Sequence, residues 1–270
     1  MDATHAEREA RSEKTIRDTF TTVRGWHTSA RFSASLGSEL ALDDLDWPPM
    51  PFTDTMRLEL DLAAEQFHQV HVMLNAGELS LTSQRVLVRT ALIASSIALW
   101  LVLPDDATER RNRHRRLVEQ NHFRHLQALR AQLSLEEATG VVQPNLSTMV
   151  VHVRKGLKAI QDKRAADGQV SQWNDSDVVR DAALYAFREE TDPAALSNEA
   201  LFEFRSTSGA AHALPWALFN SPGMHATTPA DEHGRAVMVA TPQWGDLANS
   251  YMAAFLISRE AWRLLAVRGR

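Results

Sequence analysis

The sequence predicts an all-α fold, a bundle of about seven helices. Three observations carry this. Apolar residues recur at helical spacing over long segments, most clearly at Met56, Leu60, Ala63, Ala64, Phe67, Val70 and Leu74. Pro and Gly punctuate the gaps, as at Pro48, Pro49, Gly77, Pro104, Gly140 and Pro144. Strand character is confined to a fragment at residues 236–240, AVMVA.

Residues 1–30 are polar and charged. A short exposed helix over 8–24, frayed at its start, is expected there, as an N-terminal extension to a single helical domain over 31–270. Residues 31–53 read as a loop by their Pro content. Asp43, Asp44 and Asp46 resemble an aspartate-rich metal motif, but they precede Trp47-Pro48-Pro49 instead of lying on a helix. A turn or a solvated acidic loop is expected. Thr53 or Asp54 can cap a helix running to 75, with Gly77 as its stop. Residues 80–103 form the most apolar segment; from Val86 to Leu103 only Arg89, Thr90, Ser95 and Ser96 interrupt it. An Arg near one end and two central Ser make it a buried central helix, not a membrane span.

Asp105 and Asp106 start a basic helix over 106–133, carrying Arg110, Arg111, Arg113, Arg115, Arg116, Arg124 and Arg130 on all sides. It suits a solvated face with local ion pairs, or an electrostatic footprint for RNA or another anion. A linker (134–146), an amphipathic helix (147–163) and a hinge (164–175) follow. Asp175 or Ser176 can cap a helix over 177–190, which Asp192-Pro193 breaks. Ser197 can cap the next helix, with Glu199 and Glu203 suiting its N-terminal dipole end. Residues 221–243 read as a long loop, and 245–266 as the last helix.

Net charge is -5, which argues against a tight nonspecific nucleic-acid binder. The absence of Cys excludes disulfides, thiolate nucleophiles and Cys-based zinc sites. The charged start, MDATHAEREARSEK, lacks the apolar stretch of a signal peptide, so the expected compartment is the cytoplasm, with no membrane partner.

The strongest functional lead is LFEFRSTSGAAHALPWALF (201–219). Arg205, Ser208, His212 and Trp216 follow at i, i+3, i+7 and i+11, a narrow sector of a helix. Gly209, Ala210 and Ala211 thin the helix for close approach, and Pro215 ends or kinks it just after His212. An Arg and a His on one face can cleave RNA without metal. The His serves as general acid or base towards a 2′-hydroxyl, and the Arg neutralises charge developing on the phosphate. Spacing alone is uninformative: an Arg followed by a His five to seven positions later also occurs at Arg115–His122 and Arg116–His122. The small neighbours, the apolar helix and the stop beyond it distinguish Arg205 and His212.

FEFRSTSGAAHALPWAL (202–218) resembles the C-terminal motif of a group of bacterial helical proteins, and VRTALIASSIALWLVLPDD (88–106) is similar to their central helix. Those proteins resemble the HEPN superfamily, helical bundles that often dimerise and include RNA-cleaving toxins and defence effectors. The resemblance covers roughly residues 56–219 and implies a HEPN-like core. Its Arg-x4–6-His motif maps onto Arg205 and His212, with Ser208 orienting one of them. It implies a homodimer and an RNA substrate. Ser206 stands where active members often carry a strongly polar residue, and Ile93 where they commonly carry a Glu. Arg89, the lone charge well inside the apolar helix, needs a partner and is expected either to pair with an acidic neighbour or to bind substrate in the same cleft.

Two further function classes compete. One is a non-catalytic module using the Gly209–Ala211 face to dimerise or dock a protein partner. The other is a metal-binding bundle, because EQFHQVH (65–71) and EQNHFRH (119–125) repeat a Glu-x-x-His unit used in di-iron bundles. Glu65 and His71 lie about 120° apart on a helical wheel, and residues 80–103 hold no Asp or Glu to complete a site, so no joint metal site and no cofactor are expected.

Overall fold

The computed structural model describes residues 4–29, 32–141, 144–169, 171–219 and 223–270. Residues 142, 143, 170 and 220–222, within the expected linker, hinge and long loop, lie outside the described residues. So do 1–3, 30 and 31 in the N-terminal part. The fold is all-α. Its helices are α1 (His5–Arg17), α2 (Phe20–His27), α3 (Glu39–Asp44), α4 (Phe52–Asn75), α5 (Ser83–Val102), α6 (Ala107–Thr139), α7 (Leu146–Ala166), α8 (Asp175–Ala186), α9 (Pro193–Ala211), α10 (Pro215–Phe219) and α11 (Trp244–Arg268). β1 (Met224–Ala226) pairs antiparallel with β2 (Met238–Ala240), Met224 opposite Ala240, where the sequence offered its strand fragment.

The central position of α5 follows from its composition. Leu92, Leu99, Leu101 and Val102 are fully buried among α4, α8, α9 and α11. Each such side chain contributes about 1.5–3 kcal/mol relative to exposure. By length and composition α5 could cross a membrane, yet most of it is enclosed by the other helices. Gly77 takes φ +78 just beyond α4, and Glu78 N–H reaches back to Met73 O, the glycine-terminated stop expected there.

Several expectations are corrected. The N-terminal segment is not a frayed tail: α1 and α2 bury Ile16 and Val23 completely, and Glu9 accepts hydrogen bonds from Trp244 N–H and Gly245 N–H at the start of α11. The acidic loop is not solvated. Asp43 is fully buried and its Oδ2 accepts from Arg110 Nε at 2.7 Å, while Asp46 pairs with Arg115. Asp44 accepts from Thr53 N–H at 2.7 Å, satisfying a free donor of the first turn of α4. Asp43 and Asp44 lie on the short helix α3 where a loop was expected, so Arg110 is the buried partner of α3 and Arg115 that of the turn after it; Arg113–Glu109 is the kind of local pair expected. Asp192, not Ser197, caps α9, accepting from Ala195 N–H at 2.9 Å, and Pro193 opens the helix as its first residue. Ser197 lies inside α9 and donates to Arg180 O on α8. Asn174 caps α8.

Helices α6 and α7 form a hairpin with a core of its own, built from Leu126, Leu129, Leu146, Val150, Val153 and Leu157. His122 on α6 sits so close to Gly156 on α7 that a Cβ there would lie 2.6 Å from the imidazole. The hairpin is fastened to the rest of the bundle at its base by the Asp43–Arg110 and Asp46–Arg115 pairs.

Candidate functional site

Between this hairpin and the main bundle lies an open groove of about 690 Å³. Arg89 enters it from α5, Gln120 and Arg124 from α6, and Phe204 and Ser208 from α9. Its remaining wall is residues 172–174 with the first turn of α8, including Trp173, Asp175, Ser176 and Asp177. Gln120, Gln172 and Trp173 also line an adjoining hollow of about 350 Å³, whose other walls are Arg116, Glu119, Phe123, Gln161 and Arg164.

Arg89 resolves the question of its partner in an unexpected way. Its Nε donates to Ser208 Oγ at 2.7 Å, and its guanidinium lies 5.5 Å from the centre of the Phe204 ring. No carboxylate pairs with it among the described residues, so the partner is a hydroxyl and an aromatic face, not an acid. The deeply buried arginine of α5 is Arg85, one turn earlier. It donates to Ser206 Oγ at 2.5 Å and to Ala217 O at 3.2 Å. Ser206 is thus occupied in holding α5 to α9, and Ile93 packs against the core.

Charges around the groove are unbalanced. Asp175 Oδ1 accepts from Trp173 Nε1 at 2.5 Å, and Asp177 pairs with Arg180. Asp177 is therefore paired with a cation, whereas Asp175 has a neutral donor and keeps its charge. Arg124 makes only a long contact, 3.4 Å, to Gln127, and like Arg89 forms no ion pair among the described residues. Beside two aromatic rings the groove offers two guanidiniums without an ion pair among the described residues, together with the Asp175 carboxylate, whose donor is a neutral indole; the two cations outnumber that one free carboxylate, a set suited to an anion carrying a planar group.

The stripe on α9 divides. Ser208 lines the groove with Arg89; Arg205 and His212 are exposed and do not line it. On the helix wheel the three lie within about 60° of one another, Arg205 and His212 one turn to either side of Ser208. Helix α9 ends where the sequence placed the stop. His212 is the C-cap, Ala213 takes φ +54, and Leu214 N–H returns to Gly209 O, a Schellman closure in which Ala stands at the usual glycine position. Pro215 then opens α10. Gly209 does not wait for a partner helix: a Cβ there would lie 2.6 Å from Trp216 and 2.9 Å from Ala217, so α10 of the same chain covers it.

The Glu-x-x-His units have other occupations. His71 is buried, stacked on Phe20 at 3.7 Å and hydrogen-bonded to Tyr251 Oη at 2.5 Å. His68 stacks on His27 at 4.3 Å, and Glu119 pairs with Arg164. No cluster of three metal-binding side chains forms among the described residues. Trp173, which the sequence reading passed over, is a groove residue; a Trp in the polar turn SQWNDS ahead of a capped helix was the available signal. Comparison with family models, curated proteins and solved structures finds no match for this chain.

Proposed function

We propose that the protein is a HEPN-like RNA-cleaving protein of a toxin or defence system, which holds a single-stranded RNA against the Arg89 groove and cuts it with Arg205 and His212. The observation that carries this is the Arg89–Ser208 hydrogen bond, which joins an uncompensated guanidinium to the middle of the Arg205–His212 stripe. Both stripe residues are exposed and open to a substrate. In the reaction His212 takes the 2′-hydroxyl proton, O2′ attacks the neighbouring phosphorus, and the P–O5′ bond breaks. The leaving O5′ takes a proton from water, and a 2′,3′-cyclic phosphate and a 5′-hydroxyl result, His212 returning its proton to solvent. Arg205 neutralises charge growing on the phosphate oxygens. Arg89 positions the strand. The test is cleavage of a fluorophore–quencher RNA in EDTA: His212→Gln removes it with the thermal midpoint unchanged.

Leu214, Trp216 and Phe219, just beyond the C-terminal end of α9, are exposed apolar residues. They favour a homodimer through this face. Light scattering on Phe219→Asp tests it, the expected result being a monomer.

A second reading, a non-catalytic module that binds RNA or a protein partner, is favoured by one observation: no His lines the groove. Binding that depends on Arg89 without any cleavage would establish it.

A further inference from the structure

Arg116 is anomalous in a chain that pairs most of its partly buried arginines. It is half-buried at the edge of the groove, in the hollow beyond Trp173. Its guanidinium makes no hydrogen bond and no ion pair among the described residues. Its guanidinium lies 5.3 Å from the Trp100 ring, Glu109 and Asp181 reach it only by longer-range attraction, and its Nε is buried without a partner. Neighbouring Arg113 pairs with Glu109 and Arg164 with Glu119, although Arg164 Nε is likewise buried without a partner; Arg116 differs in having no ion pair at all among the described residues. Burial lowers the pKa of Arg116 from its ordinary value, an imbalance that a bound anion relieves. A half-buried cation facing an open hollow is expensive to leave unpaired unless something from outside pairs with it.

We propose that Arg116 forms a second anion subsite, separated from the Arg89–Arg124 subsite by Trp173, and that together they take two phosphates bracketing a planar base. Trp173 lines both hollows, and its indole is pinned by Asp175 and by an edge-on contact with Trp100 at 5.6 Å. It is placed to stack the base between the two phosphates. The ligand chemistry is a phosphodiester-linked nucleotide pair, either free or as part of a longer strand. This deepens the proposed function, since it names how the groove holds a strand, but it does not depend on cleavage.

The test is calorimetric binding on the full-length His212→Gln protein, so that any cutting activity is removed. The probes are a 5′-phosphorylated adenosine dinucleotide, adenosine monophosphate and a single-stranded adenosine decamer. Arg116→Gln should weaken the dinucleotide or the decamer at least tenfold and leave the monophosphate within twofold. Trp173→Leu should weaken both longer probes, with an unchanged thermal midpoint showing that the fold is intact. Arg116-dependent binding of the dinucleotide points to a free dinucleotide. Arg116-dependent binding of the decamer alone points to a strand. Equal affinities of the His212→Gln protein with and without Arg116→Gln for both, or no binding of either, overturns the proposal. Binding without cleavage in the His212 form of the protein would sink the ribonuclease reading and leave this one standing.

Discussion

Arg89 Nε on the central helix donates to Ser208 Oγ on α9 at 2.7 Å, across 119 residues of chain. The bond fixes one edge of the guanidinium and, with no carboxylate paired to it among the described residues, leaves its charge without an ion pair. A hydroxyl partner positions the cation without neutralising it, which suits a residue that must later meet an anion.

Ser208→Ala should therefore loosen Arg89 more than it harms the fold. Loss of one hydrogen bond to a charged group costs about 1.5–3 kcal/mol at most, with solvent at the half-buried site replacing part of it. Thermal denaturation should show a drop of a few degrees, and affinity for single-stranded RNA should fall as Arg89 loses its orientation.

The Asp43–Arg110 pair fastens α6 to α3 with both side chains buried. Burial pushes the Asp43 carboxyl above its ordinary pKa even though Arg110 holds it. Asp43→Asn or Arg110→Met alone should cost about 3–5 kcal/mol, and Asp43→Leu with Arg110→Met together much less, because the pair's desolvation is removed with its attraction. Urea midpoints of the two single variants and the double variant give the comparison.

Legibility differed sharply between local and distant features. The long helices α4 and α5 were readable because one apolar face or body repeats within a single segment. The α9 stop was readable from Pro215, although the Schellman closure at Ala213 was not, since Ala carries no signal for a positive φ. Asp43 and Asp46 misled because their partners lie 67 and 69 residues away, so nothing local marks them as buried. Arg89 drew attention as the charge inside the apolar run, whereas burial fell to Arg85, and only the packing of α9 and α10 decides which turn is covered. Gly209 read as an opening for a partner because the return of Trp216 depends on a turn the sequence did not specify.

Gly209→Ala makes that last point measurable. Alanine favours a helix by about 1 kcal/mol, but its Cβ would meet Trp216 at 2.6 Å. The single variant should be destabilised by about 1–3 kcal/mol. In a Trp216→Ala background the same change should become neutral or stabilising. A double-mutant cycle on thermal midpoints checks this.

Two buried histidines and one glutamate set opposing pH slopes. Burial lowers the pKa of His71 to about 3 and of His114 to about 4. Their folded values lie below the unfolded 6.5, so the stability they contribute is present above pH 6.5 and is lost as pH falls towards 4 and 3. Burial raises Glu203 to about 7, above its unfolded 4.5, so stability is lost as pH rises through 4.5 to 7. Glu203→Gln should raise the thermal midpoint at pH 8 and leave it unchanged at pH 4. His71→Phe should flatten the acid limb while lowering the plateau, because Tyr251 keeps Thr19 but loses its second hydrogen-bond partner.

The central claim is that Arg205 and His212 cut RNA through its 2′-hydroxyl. The most direct measurement uses a DNA strand carrying one internal ribonucleotide, incubated in EDTA and read by mass spectrometry. One cut is expected, at the ribonucleotide, leaving a 2′,3′-cyclic phosphate and a 5′-hydroxyl, with no cut by His212→Gln. An intact strand, or cleavage undiminished in His212→Gln, would contradict it.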